Sequence, residues 1–144
     1  RQVGVLAAAG IVALKTMIDR LGDDHVTARR LAEGLSQVPG INIDEQCVQT
    51  NIVFAEIDSR LAPMHTYIGR LSQEGVKVSY PGGSRIRMVT HRHISAQDVD
   101  ATIDRVARVS RGYEKLDVGL DQIDHSSLNA EARTGDSFSC QKTV

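Results

Sequence analysis

The sequence predicts a small α/β domain of the α+β kind: a helical N-terminal segment, then a mainly antiparallel sheet of three to four strands with helices on one face. Three observations carry this. An apolar, Ala-rich run from Val3 to about Leu21 roughly follows helical spacing. Thr50 to Ile57 (TNIVFAEI) is rich in β-branched and aromatic residues and reads as a central strand. Finally, Pro81-Gly82-Gly83 turns the strand Val76–Tyr80 into Arg85–His91, an antiparallel hairpin. Alternation puts Ile86, Met88 and Thr90 on one face of that last strand and Arg85 and Arg87 on the other.

The elements follow in order. Val5, Leu6, Ala9, Val12, Ala13, Met17 and Leu21 mark the first helix, and Ala7 to Gly10 give it a smooth surface that another backbone can approach. Gly22 interrupts it, and Asp23 or Asp24 can cap a second helix, about His25 to Gln37, that buries Val26, Leu31, Ala32 and Leu35. Two helices or one kinked helix both fit. Pro39-Gly40 ends this part, and Ile41-Asn42-Ile43 reads as a short edge strand. Asp58-Ser59 can cap a helix over Ala62–Glu74, with Met64, Tyr67, Ile68 and Leu71 inward and Gly75 closing it. Ser95 with Asp98 resembles a capping box ahead of a helix from Ala96 to about Ser110, with Val99, Ile103, Val106 and Ala107 as its apolar stripe. Residues 1–37 therefore form a helical linking segment, 38–113 the small α/β domain, and 114–144 a tail expected to be disordered.

Bulk properties exclude several classes. A net charge of −1 gives no electrostatic case for nucleic acid or an anionic membrane. The longest apolar run, Val3 to Leu14, is too short to span a bilayer and lacks a signal-peptide layout. Cys47 and Cys140 lie far apart without metal spacing, which suggests a reducing, cytoplasmic compartment. A chain that opens mid-helix on Arg reads as a piece of something longer.

Arginines on a core strand are costly unless something anionic pairs with them, so Arg85 and Arg87 are the first candidate site residues. His91 and His93 would share one strand face, compatible with a metal, but no third ligand is suitably spaced and Arg92 disfavours a cation. Thr50-Asn51 reads as capping the start of a strand, with cofactor contact as the alternative. Cys47 has no neighbouring base. Lys15, Lys77, Lys115 and Lys142 read as solvated, and Gly82-Gly83 as a turn, since no helix follows directly to make a phosphate cradle.

From Arg1 to about Arg111 the chain resembles the C-terminal part of the threonine aldolases, in the β-eliminating lyase group of fold-type-I pyridoxal-phosphate enzymes. The stretches RQVGVLAAAG (Arg1–Gly10), VQTNIVF (Val48–Phe54), RIRMVTH (Arg85–His91) and ISAQD (Ile94–Asp98) carry the likeness, in order and at the expected separations. The family's Schiff-base lysine follows a serine in a segment upstream of Arg1. Its cofactor-stacking histidine, pyridine-nitrogen aspartate and most of its phosphate-binding loop also lie upstream. His93 stands where relatives more usually have a smaller or acidic residue.

The resemblance implies the small C-terminal domain of a pyridoxal-phosphate enzyme that cleaves threonine or allo-threonine to glycine and acetaldehyde. It assigns Arg87 to the substrate α-carboxylate and Arg1 to the neighbourhood of the cofactor phosphate. Arg85 becomes a solvated or helper residue, and Thr90-His91 becomes support for the arginine strand. It also implies a homodimer or tetramer with contacts through the Ala-rich helix, and a chain inactive alone. Readings from other classes are a stand-alone amino-acid-binding regulatory module and a remnant that only dimerises.

Overall fold

The computed structural model describes residues 2–120, and side chains through Tyr113. Four helices and four strands run in the order α1 (Val3–Thr16), α2 (Leu21–Ser36), β1 (Ile41–Asn42), β2 (Ile52–Ile57), α3 (Met64–Gln73), β3 (Ser79–Gly82), β4 (Arg85–Val89) and α4 (Ala96–Leu120), with one 3-10 turn at Glu45–Cys47. The sheet order is β1-β2-β4-β3, and every pairing is antiparallel. This is the α+β fold the sequence predicts.

Helices α2, α3 and α4 supply the core opposite one face of the sheet. Ala28, Leu31, Ala32 and Leu35 recur at helical spacing on the buried side of α2. Val53, Ala55 and Ile57 alternate inward from β2, and Ile86 and Met88 from β4. Tyr67 of α3 is fully buried, and its hydroxyl meets Ser110 of α4 at 2.8 Å, which joins these helices through a satisfied polar pair. On α4, Val99, Val106, Val109 and Tyr113 continue the apolar stripe.

Several boundaries differ from the sequence reading. The N-terminal helices are separate, because α1 stops at Thr16 and α2 begins at Leu21. Asp23 and Asp24 thus lie in the first turn of α2, where they favour the helix dipole, and neither is the cap. Val26 is 63% exposed, since two residues of helix turn it away from Ala28. Strand β3 starts three residues later than expected and takes in Pro81 and Gly82. It is an edge strand, where a missing N–H costs no ladder bond, and its register shifts between Ser79 and Gly82. The chain then reverses at Gly83, whose φ of 66° suits glycine.

Helix α4 runs on to Leu120, past its expected end near Ser110, because Tyr113 still has core to cover. The reading of a disordered tail otherwise falls on residues 121–144, outside the described residues, as does Cys140. Helix α1 has no buried residue, and Val3, Val5 and Leu6 are each 74% exposed. Among the described residues, no helix is long and apolar enough to cross a membrane.

Candidate functional site

Strand β4 organises the site. Its alternation sends Ile86 and Met88 into the core and leaves Arg87 and Val89 on the open face of the sheet. In the register, Arg87 lies between Phe54 of β2 and Ser79 of β3. The Arg87 guanidinium thus emerges beside Phe54 and Val89, which are 47% and 42% exposed. Among the described residues it forms no ion pair. Arg85 is different. It is half-buried and lies directly across from Glu56, an opposite-charge cross-strand pair.

Beyond Ser79 the β3–β4 ladder ends, and a cleft of about 380 Å³ opens between the end of β4 and the segment from Gly75 to Ser79. Leu31, Met88 and Val99 give it an apolar floor, while Arg87, Lys77, His91 and Ser79 give it polar walls. Among the described residues, no Asp or Glu lines it. A cleft with basic walls and an apolar floor suits a small anion with a carbon body. Lys77 is the residue that sequence reasoning missed. It is exposed, as expected, but it precedes β3 and shares the cleft with Arg87. The signal was present in the alternation of Val76-Lys77-Val78, which sends Lys77 away from the core.

The end of β4 is tied down by polar contacts. Thr90 is buried, and its hydroxyl donates to the Asp24 carbonyl at 2.8 Å. Its N–H donates to the Asn51 carbonyl at 2.9 Å, and the Asn51 side-chain amide donates to the Thr90 carbonyl at 2.7 Å. Asp24 is itself buried and is gripped by both terminal nitrogens of Arg20, at 3.2 and 2.7 Å. Asn51, just before β2, therefore braces the end of β4, and Thr90 ties that arginine strand to α2.

Ser95 and Asp98 form the capping box of α4 just after this anchor. The Ser95 hydroxyl donates to Asp98 at 2.6 Å and its N–H does so at 2.9 Å, while the Asp98 N–H returns a bond to the Ser95 hydroxyl at 3.2 Å. The hydroxyl bond, then the backbone bond, hold the Asp98 carboxyl below its ordinary range.

The other candidates separate. Because β4 stops at Val89, His91 and His93 are not on a strand face. Their rings meet edge to face at 5.8 Å, and the His93 N–H donates to His91 Nδ1 at 3.3 Å. Among the described residues, no three His, Cys, Asp or Glu side chains gather as metal ligands. The turn falls at Gly83-Ser84, one residue later than expected, because Gly82 ends β3 opposite Arg85. Lys15 is in the last turn of α1, away from the cleft. Lys115 lies in α4 with its side chain outside the description, and Arg1 and Lys142 lie outside the described residues.

Comparison with known proteins now bears on this arrangement. Residues 1–60 match the family described as beta-eliminating lyase. Low-specificity L-threonine aldolase 1 of Arabidopsis thaliana is 39% identical over 105 residues, 72% of this chain and 29% of that protein. The low specificity L-threonine aldolase of Escherichia coli K12 is 33% identical over 100 residues, 69% of this chain and 28% of that protein. The chain thus spans under a third of the length of these relatives.

Among solved structures, the ornithine aminotransferase of Toxoplasma gondii superposes with a TM-score of 0.55 at 18% identity, covering 77% of this chain and 26% of that one. The ornithine aminotransferase of Plasmodium yoelii gives 0.50 at 13% identity, over 65% of this chain and 24% of that one. At such identities the likeness is one of fold. The resemblance read from the sequence stands, at this partial coverage.

Proposed function

We propose that this chain is the C-terminal portion of a pyridoxal-phosphate-dependent threonine aldolase, and that Arg87 holds the α-carboxylate of the amino-acid substrate. The observation that carries the reading is the exposed Arg87 on a braced strand, with no ion pair and no carboxylate lining the adjoining cleft among the described residues. A planar guanidinium receives a carboxylate through two parallel hydrogen bonds, which fixes the direction of the Cα–Cβ bond as well as the position of the molecule. Phe54 and Val89 flank it with exposed apolar surface on which the carbon body of the substrate can rest.

The described residues fit the amino-acid end of such a site. None of Lys15, Lys77, Lys115 and Lys142 follows a serine, so the covalent attachment belongs to another segment of the intact protein. Bound there, pyridoxal phosphate supplies an electron sink for breaking the Cα–Cβ bond of threonine or allo-threonine, which releases acetaldehyde and leaves glycine. This chain's part is to hold and orient the carboxylate. Arg1 contacts the cofactor phosphate region in the intact protein, and the apolar surface of α1 contacts a second copy in a dimer or tetramer.

The direct test is Arg87→Ala in the complete enzyme. Loss of the charge-assisted pair lowers the specificity constant for threonine by about 1.5–3 kcal/mol of transition-state binding. An unchanged constant would falsify the carboxylate assignment. On the chain itself, pyridoxal phosphate followed by borohydride leaves no single fixed lysine adduct. One stoichiometric adduct would refute the view that the attachment lies elsewhere, and tight binding of free amino acid without cofactor would favour a regulatory module.

A further inference from the structure

The chain leaves β4 through a tight turn that begins at His91. The Ile94 N–H donates to the His91 carbonyl at 2.7 Å, and the His93 N–H donates to His91 Nδ1 at 3.3 Å. A side chain at the first turn position that accepts from the N–H two residues on usually belongs to Asn or Asp. Here an imidazole takes that part. A ring nitrogen that accepts carries no hydrogen, so in the neutral ring the proton sits on Nε2. The His93 ring packs against it edge to face at 5.8 Å, which further limits its rotation. His91 therefore presents one N–H donor from a ring held in place, and it lines the cleft that Arg87 also lines.

We propose that His91 is a second substrate-binding residue, whose Nε2–H donates to the α-carboxylate that Arg87 grips. A carboxylate offers about four lone-pair positions, and a two-point guanidinium bond occupies only two of them. A neutral imidazole on the same wall fills a third without adding a charge that must be balanced. The cleft is small, about 380 Å³, so side chains on its wall meet one and the same small ligand. The assignment also fixes what His91 does not do. With Nδ1 engaged by the turn and Nε2 protonated, the ring has no lone pair free for the hydroxyl proton that cleavage of threonine releases. His91 therefore binds and orients, and the base lies elsewhere. The inference rests on the assignment of a carboxylate to Arg87 and adds the contact that sets the tilt of the carboxylate plane.

Two substitutions separate the donor from the turn. His91→Asn keeps an acceptor for the His93 N–H and loses the Nε2 donor. His91→Gln reaches the place of Nε2 with an amide N–H and loses the acceptor. In the complete enzyme at about pH 8, where free imidazole is neutral, His91→Asn raises KM for threonine about tenfold. The loss falls on KM rather than kcat, because the contact is made equally in the ground and transition states. His91→Gln recovers most of it. Nitrogen NMR of the full chain finds the His91 proton on Nε2. His91 is exposed, and the amide spectrum of each variant reports an intact fold. An Asn variant with the wild-type KM, equal losses in the two variants, or a proton on Nδ1 overturns the role of His91 and leaves that of Arg87 standing. An Arg87→Ala enzyme with an unchanged specificity constant for threonine overturns both.

Discussion

Asn51 and Thr90 hold each other twice. The Asn51 side chain donates to the Thr90 carbonyl at 2.7 Å, and the Thr90 N–H returns a bond to the Asn51 carbonyl at 2.9 Å. The pair closes the sheet one residue beyond the Ile52–Val89 rung and fixes where β4 ends. The buried Thr90 hydroxyl then reaches the carbonyl of Asp24, so strand, helix α2 and the Arg20–Asp24 ion pair become one unit. Arg87 is three residues away along the same strand, and its direction inherits that rigidity.

Thr90→Val preserves shape and deletes only the hydroxyl. A buried acceptor loses its donor, which costs about 1–3 kcal/mol. Asn51→Ala has the same sign. Urea denaturation reads both, with a lower midpoint and unchanged slope. If the valine variant unfolds at the wild-type midpoint, the anchor is not what holds β4.

The capping box of α4 makes stability depend on acid. The Asp98 carboxyl is held below its ordinary value, so its contribution is present above the unfolded-state value, about 3.9, and is lost as pH falls through the folded one. Thermal melts of the wild type lose ground below about pH 4, while Asp98→Asn melts a few degrees lower near neutrality and loses less on acidification. Parallel melting curves for the two proteins across that range would dismiss the coupling.

Tyr67 acts at the other end of the scale. Burial pushes its phenol upward, opposed by the bond to Ser110. A raised folded-state value means stability that is intact below the unfolded value, about 10, and is lost as pH rises beyond it. Tyr67→Phe removes this alkaline loss and costs about 1–2 kcal/mol near neutrality, because the Ser110 hydroxyl is left buried without its partner. Stability measured from pH 7 to 11 on both proteins decides it, and an equally steep alkaline decline in the phenylalanine variant counts against burial as the cause.

Local periodicity made much of this fold legible. The alternation of Ile86, Met88 and Thr90 and the Ser95–Asp98 spacing involve neighbours within a few residues and fold as their patterns require, while the glycine turn falls one residue late, at Gly83-Ser84. Long-range partners were not legible. Nothing in the sequence pairs Thr90 with Asp24, 66 residues earlier, or sets β4 rather than β3 beside β2. Val26 was placed inward because an apolar residue in an amphipathic helix reads as core, yet its angle on α2 points it to solvent. Arg87 stood out as an arginine on an alternating strand, but Lys77 did not, since a lone lysine shows its meaning only when the cleft it shares is known.

Gly34 illustrates a close approach that also needed the tertiary structure. It lies inside α2, where Ala is favoured over Gly by about 1 kcal/mol. A Cβ there would run into the side chain of Ile103 on α4, overlapping Cδ1 most and reaching Cγ1 at 2.9 Å. Isoleucine is stiff at χ1 and has little room to turn aside, so overpacking of about 1–3 kcal/mol outweighs the gain in propensity. Gly34→Ala is therefore destabilising despite its better helix propensity. Ile103→Val, which removes the offending Cδ1, recovers most of the loss in the double variant, and a thermodynamic cycle over the four proteins gives a coupling of about 0.5–3 kcal/mol. A coupling near zero would mean that α2 and α4 shift apart freely, and the contact at Gly34 would then have no part in setting how closely they pack.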